Sequence, residues 1–438
     1  MQNGLLPWGL FPNYPQEPYR VFWRSDLPSA LTDLARSKTT TLPFGNGRSY
    51  GDSCLAASDH VLSMRDLDRI IHADWTRGVV TVEPGLTLGE LLAVAIPNGW
   101  FLRVTPGTQF VTVGGAIAND VHGKNHHRQG NFGAHVSQLG LLRSKEGFQA
   151  CSPTANSELF EATVGGLGLT GIIVWAEIQL QRVTATQISA VNQRFDNLDE
   201  FFAISAELDV VHEFSVAWVD CAVKGRFAGR GVYLAGDFAD EGSLEFSRGS
   251  VLNVPLMPPV SLVNRLSLRA FNELYWRSFP SVRKQTRSTC ESFFFPLDRI
   301  LNWNRIYGRR GFQQYQCVLP PENARVGIQE LLSTIANSGM GSFLAVLKQF
   351  GEYKSTGLLS FPRPGVTLAL DFPNRRKHIG KLFTRLDAIV REANGRLYPA
   401  KDAHMEPSDF RRAYPRWEEL EALRDPSLNS RFWQRVTQ

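Results

Sequence analysis

The stretch from Thr105 to His127, TPGTQFVTVGGAIANDVHGKNHH, constrains this chain more than any other. A Pro-Gly turn, a Gly-Gly pair and a run of small residues lead into three histidines and a lysine within six residues. So dense a mixture of glycine and polar groups does not make an ordinary core. Glycine lets backbone come close to a bound group, and the polar residues after it stand where they can read that group's edges. The segment reads as one wall of a ligand site.

A chain of 438 residues favours two domains over one core. Its 43% hydrophobic and 20% charged content describes a soluble globular protein. The net charge of +5 suits an anionic ligand or a membrane surface but is too diffuse to argue for nucleic acid. Cys54, Cys151, Cys221, Cys290 and Cys317 are odd in number and never spaced as CxxC. That pattern points to a reducing compartment, without structural disulfides or a zinc site. Pro7, Pro12 and Pro15 break the first apolar run, so it does not read as a signal peptide. The expected location is the cytoplasm, with peripheral contact at the inner face of the plasma membrane left open.

Taken in order, residues 27–37 have helical spacing and Thr39–Pro43 reads as a strand. The loop from Phe44 to Asp52 carries three glycines among polar residues. It is either an anion cradle built from backbone N–H groups or a surface turn. Strands are expected at 61–64, 79–83 and 137–143, and helices at 86–99 and 157–163. Gly166, Gly168 and Gly171 satisfy GxGxxG, yet the alternating strand IIVWAEIQLQRV follows where a dinucleotide fold needs a helix. Beyond residue 185, strand-like runs at 214–220, 313–319, 343–350 and 366–372 alternate with helical runs at 321–337 and 376–393. This predicts an antiparallel sheet with helices on one face. Residues 261–290 set six basic side chains (Arg265, Arg269, Arg277, Arg283, Lys284, Arg287) against Glu273, with Phe271, Tyr275, Trp276 and Phe279 interleaved. Such a segment either rests on an anionic lipid surface or is an exposed helix with snorkelling arginines.

Six motifs, GNGRSYGD at 45–52, the run at 106–127, GGLGLTGII at 165–173, WNRIYG at 303–308, QYQ at 314–316 and GRLYPAKD at 395–402, resemble the decaprenylphosphoryl-β-D-ribose 2′-oxidase family in their order. These are flavoproteins of the vanillyl-alcohol-oxidase type. The resemblance implies an α+β fold: a two-part PCMH-type FAD-binding domain (1–185, completed by 394–438) with an inserted antiparallel-sheet substrate, or cap, domain (186–393). It implies that Pro43, Phe44, Gly45, Asn46, Gly47, Arg48, Ser49, Tyr50, Gly51, Asp52 and Ser53, with Thr112, Val113, Gly114 and Gly115, wrap the FAD pyrophosphate and ribityl chain. Gly107, His122, Ile173 and Tyr398 would line the rest of the cofactor. Lys401 would meet the substrate hydroxyl, with His122 beside the reacting ring, and Trp218, Gln314, Gln316 and Lys348 would face the substrate. Some relatives attach FAD through a histidine in the first glycine loop; none is present here, so the cofactor is expected to be non-covalent. No metal is expected, because His122, His126 and His127 have neither HxxxH spacing nor a third-ligand pattern. In the family's pocket Ala369 replaces a cysteine, Thr367 an asparagine and Phe294 a tyrosine.

The implied reaction is oxidation of a secondary sugar hydroxyl, the 2′-hydroxyl of a polyprenyl-phosphate pentose, in cell-wall polysaccharide biosynthesis. A separate nicotinamide-dependent keto-reductase would complete an epimerisation. The rival readings are an aldonolactone or alditol oxidase acting on a soluble sugar, and a non-catalytic flavin-binding protein.

Overall fold

The computed structural model describes residues 4–36, 40–246 and 251–438. Its first half is built on the long strand Ile172–Arg182, which pairs antiparallel with Val79–Val82, Trp100–Leu102 and Val136–Arg143. Ile70–Asp74 and Gly147–Cys151 complete a six-stranded sheet. The hub strand is apolar on both faces at 172–174 and alternates after that, because only its first part lies between two layers. The helix Leu27–Arg36 buries Leu27, Ala30 and Leu31, spaced for one helical face, against Leu62, Ile172 and Val174. Thr87 and Glu90 form a reciprocal capping box at the start of Leu88–Ala95. The chain leaves that region through Gly99, whose φ of 80° favours glycine.

The second half is an eight-stranded antiparallel sheet. Its strands run in the order Lys284–Thr289, Gln187–Phe195, Gly231–Phe238, Phe214–Val219, Ala345–Phe350, Gly365–Pro373, Phe312–Leu319 and Arg396–Leu397. Helices Leu198–Val211, Pro321–Ser338 and Arg376–Glu392 share one core with this sheet. Apart from the helix expected at 86–99, which ends at Ala95 and runs on as a 3-10 turn to Asn98, and the strand expected at Thr39–Pro43, the expected strands and helices fall within two residues of those seen. Thr39 lies outside the described residues, and the strand predicted there is seen as Pro43–Phe44. Two elements depart from expectation. The small-residue run becomes a short helix, Val113–Ala118, because Thr112 caps it by accepting from Gly115 N–H at 3.2 Å. Residues 261–290 divide into a helix, Arg265–Arg277, and the edge strand Lys284–Thr289.

The C-terminal helices fold back onto the first glycine loop. Arg435 bridges Asp52 and Asp402 at 2.8 Å each, and Arg431 pairs with Asp59 at 2.8 Å. Asp52 and Asp402 are both buried, so removal of Arg435 leaves Asp52 without its counter-charge and Asp402 with only His404, 3.1 Å away. Arg435→Met should lower the unfolding free energy by roughly 3–5 kcal/mol. The check is the urea midpoint and the melting temperature; Arg435→Lys should recover only part of the loss, since it lacks the two-pronged fork.

Candidate active site

Alternation along three neighbouring strands builds one wall of a cavity of about 570 Å³. Gln314 and Gln316, Val346 and Lys348, and Thr367, Ala369 and Asp371 point into it. Val366, Leu368 and Leu370 point the other way, into the core. Register brings the cavity residues side by side: Gln314 opposite Asp371, Gln316 opposite Ala369, Lys348 opposite Thr367. The opposite wall is made of the glycine loops and the start of the Val113–Ala118 helix.

Of the loop 43–53, Pro43, residues 45–50 and Ser53 line the cavity, while Phe44 is buried in the core beneath it. Gly45 lies against the Thr112 hydroxyl; a Cβ there would come within 2.3 Å of Oγ1. Gly114 packs on Pro84, where a Cβ would sit 2.8 Å from the ring. Gly51 faces away, and a Cβ on it would fall 1.6 Å from the Asp402 carbonyl oxygen. Gly107 differs: nothing lies within 4 Å of the place its Cβ would take, so its bare face opens on the cavity. Arg48 is held between the rings of Trp8 and Phe110, 4.2 and 4.9 Å from their centroids.

Tyr50 N–H donates to Ala400 O at 3.1 Å, which lays the first glycine loop on the 398–401 turn. Lys401 Nζ then stands 3.9 Å over the Tyr50 ring. Burial pulls the Lys401 amine down to about 8, against the opposing effect of Asp371. Across the cavity, Lys348 Nζ donates to His122 Nδ1 at 2.9 Å and to the Gly123 carbonyl. Burial brings Lys348 down to about 7 and, with Lys348 close by, holds His122 well below the usual histidine range. A neutral ring that accepts at Nδ1 carries its proton on Nε2, which lies 3.0 Å from the Gln316 amide nitrogen. The Gln316 amide must therefore turn its oxygen toward the ring. Tyr398 stacks on Phe361 at 4.5 Å and donates to Asn119 O at 2.9 Å.

Gly107, Thr112, Gly114, Gly115, His122, Ile173, Gln314, Gln316, Lys348, Tyr398 and Lys401 all line this cavity. Gly51, Asp52 and Val113 support it from behind: Asp52 through Arg435, and Val113 in the core of the first half. Two expectations need correction. Trp218 is absent from the lining; its indole N–H donates to Phe343 O at 2.9 Å and its ring packs on Tyr275. Phe294 is likewise elsewhere, in an aromatic cluster with Phe101, Phe214 and Phe238. Sequence reasoning missed Trp8, Phe110 and Asp371. Asp371 was accessible to it, since a period of two from Thr367 and Ala369 lands there.

Asp371 has no exposed surface and accepts from Gln314 Nε2 at 2.5 Å. Burial raises its carboxyl to about 7. A buried amine, a neutral imidazole and a carboxyl near neutrality thus face one cavity, a grouping that marks proton-handling sites.

Comparison with known proteins bears on this arrangement. Residues 24–152 match the FAD binding domain family. Decaprenylphosphoryl-β-D-ribose oxidase of Mycolicibacterium smegmatis is 37% identical over 391 residues, 87% of this chain and 84% of that one. The chain belongs to this oxidase family. It is an FAD-dependent oxidoreductase of α+β, PCMH-type fold. An uncharacterised protein of Streptomyces coelicolor is 32% identical over 78% of this chain and 96% of its own length. L-Gulonolactone oxidase of Bos taurus is 30% identical over 45% of each chain. The cavity suits an FAD: its glycine walls admit backbone-close contact, Gly107 leaves room where a side chain would intrude, and Arg48 favours an anionic group.

Gly107→Val should keep the fold and lower FAD affinity about 10- to 100-fold, as overpacking of a fitted site does. Gly51→Ala should instead lower the melting temperature of the apoprotein as well. Flavin titration beside thermal unfolding of both apoproteins separates the two outcomes.

Proposed function

We propose that this enzyme oxidises a secondary hydroxyl of a polyprenyl-phosphate-linked pentose, the 2′-hydroxyl of a ribose, to a ketone. Lys401 carries this reading: a buried amine brought to about 8, held over Tyr50 at the meeting of the first glycine loop and the substrate wall. Residues 1–185 and 394–438 serve as the FAD-binding part, and 186–393 as the substrate cap. Residues 43–53 and 112–115 hold the pyrophosphate and ribityl chain, and Gly107, His122, Ile173 and Tyr398 line the remainder. Attachment is non-covalent, since the loop 45–52 has no histidine. Bound FAD supplies the two-electron acceptor. The neutral Lys401 amine takes the hydroxyl proton. Gln314, Gln316 and Lys348 orient the sugar, and the His122–Lys348–Gln316 chain keeps the imidazole neutral and fixed. Thr367 and Ala369 leave a smaller, less polar wall than the family's asparagine and cysteine.

A lipid-linked substrate is supported by the outer surface next to the cavity. Leu252–Asn253 pairs in parallel with Ile300–Leu301, and Ile300 and Leu301 line the cavity. The segment between these strands, with its helix Arg265–Arg277, exposes Leu256 and Leu266, each at 79%, Val260 at 70% and Leu274 at 71%. Arg265 and Arg269 share its helix. Exposed leucines and a valine among basic residues fit contact with an anionic bilayer. No helix among the described residues is long and apolar enough to cross a membrane, so contact would be peripheral. A nicotinamide-dependent reductase would then consume the keto product, giving net epimerisation.

Anaerobic bleaching of the flavin is the test. A prenylphosphoryl-β-D-ribose should bleach it, and free alditols or aldonolactones should do so far more slowly; the reverse order would favour the soluble-sugar oxidase. The rate should rise with pH through about 8, because the base must be neutral, and Lys401→Met should lose about a hundredfold or more. Leu266→Glu with Leu274→Glu should slow bleaching by vesicle-borne substrate and spare a short-chain soluble analogue. Acid precipitation should leave all the FAD in the supernatant.

A further inference from the structure

Asp371 is a buried carboxylate to which the reading above gives no task. Gln314 Nε2 donates to Oδ1 at 2.5 Å and the Ser342 hydroxyl lies 3.0 Å from the Asp371 backbone nitrogen, so both the carboxyl plane and its strand position are fixed. Oδ2, equally buried, has no hydrogen-bond partner among the described residues. Tyr50, Tyr307 and Lys401 lie near enough for charge to act between them and Asp371, yet none of them bonds to it. A buried acceptor with nothing to accept from is costly, and such a group needs a reason to be kept. Here the reason lies in the cavity that Asp371 lines together with Gln314 and Lys401.

We propose that Asp371 Oδ2 accepts a hydrogen bond from the sugar hydroxyl adjacent to the one that Lys401 deprotonates, and so selects sugars that carry both. The inference rests on the role given to Lys401 above. Lys401 and Asp371 line the same cavity and lie near enough for their charges to act on each other, and vicinal ring hydroxyls are ligand groups that can meet two such neighbours. Ala369, two residues earlier on the strand, contributes room and no polarity, which leaves Asp371 and Gln314 to read the ring there. A site that reserves a buried polar atom for a hydroxyl rejects ligands without it far more strongly than an apolar pocket can.

The test crosses two proteins with two ligands. Wild-type holoenzyme and Asp371→Ala are reduced anaerobically with a short-chain prenylphosphoryl-β-D-ribose and with its 3-deoxy analogue. Binding of the matching 2-deoxy and 2,3-dideoxy compounds, which lack the reacting hydroxyl, is followed by titration calorimetry. In the wild type, loss of the 3-hydroxyl should lower kcat/KM and affinity about 10- to 100-fold. Asp371→Ala should show that loss with the parent sugar and no further loss with the analogue. Penalties that multiply would overturn the proposal. Asp371→Leu fills the space without a polar atom and provides a second variant should the alanine protein fold poorly; it too must lose discrimination between the two sugars. If the parent sugar bleaches the wild type while the penalties multiply, only the role of Asp371 fails. If a soluble polyol or lactone bleaches it and no prenylphosphoryl ribose does, the substrate reading fails, and the same cycle on that sugar and its deoxy analogues judges Asp371 separately. If no sugar bleaches it, both fall.

Discussion

The backbone contact between Gly51 and Asp402 is what the rest of this molecule depends on. Glycine alone lets the two chains touch, since a Cβ would collide with the Asp402 carbonyl. The hydrogen bond from Tyr50 N–H to Ala400 O lies beside it, and Arg435 clamps the flanking Asp52 and Asp402 from behind. Residues some three hundred and fifty positions apart are thereby fixed within bonding distance. Lys401 reaches the glycine loop because of this seam, and the cavity has two walls because the seam holds them together.

Electrostatics in that cavity follows from dryness more than from pairing. Burial is the largest influence on Lys401, Lys348, His122 and Asp371, and in each case it favours the neutral form. Lys348 donates to an imidazole and a carbonyl instead of meeting a carboxylate, and Lys401 lies on an aromatic face. Amines so placed give up a proton more easily than salt-bridged ones. A surface lysine would have stayed charged.

Much of this was legible in the chain itself, and the unread parts have physical causes. Regular alternation and helical spacing located four strands and two helices of the second half, because local periodicity reports which face is buried. The strands Gln187–Phe195, Gly231–Phe238 and Lys284–Thr289 and the helix Leu198–Val211 went unread. The motif order located the glycine loops and Lys401. The Val113–Ala118 helix was missed because two glycines and three alanines or valines carry little helical signal; the Thr112 cap and the packing of Gly114 on Pro84 decide it. Trp218 and Phe294 were set at the pocket by the family resemblance alone, and in this chain the Phe343 carbonyl and the Phe101–Phe214–Phe238 cluster hold their side chains elsewhere. Trp8 comes from the far end of the chain, and nothing local announces that its ring will cover Arg48.

The strand Gly365–Pro373 divides its duties by parity. Even-numbered Val366, Leu368 and Leu370 anchor the interior, while odd-numbered Thr367, Ala369 and Asp371 line the cavity. Evolution can therefore rewrite one set without disturbing the other. Substitutions at the odd-numbered positions would reshape the cavity at small cost to foldability. Ala369 stands in the cavity set, so a change of its side chain would alter the ligand space and leave the packed face of the strand untouched.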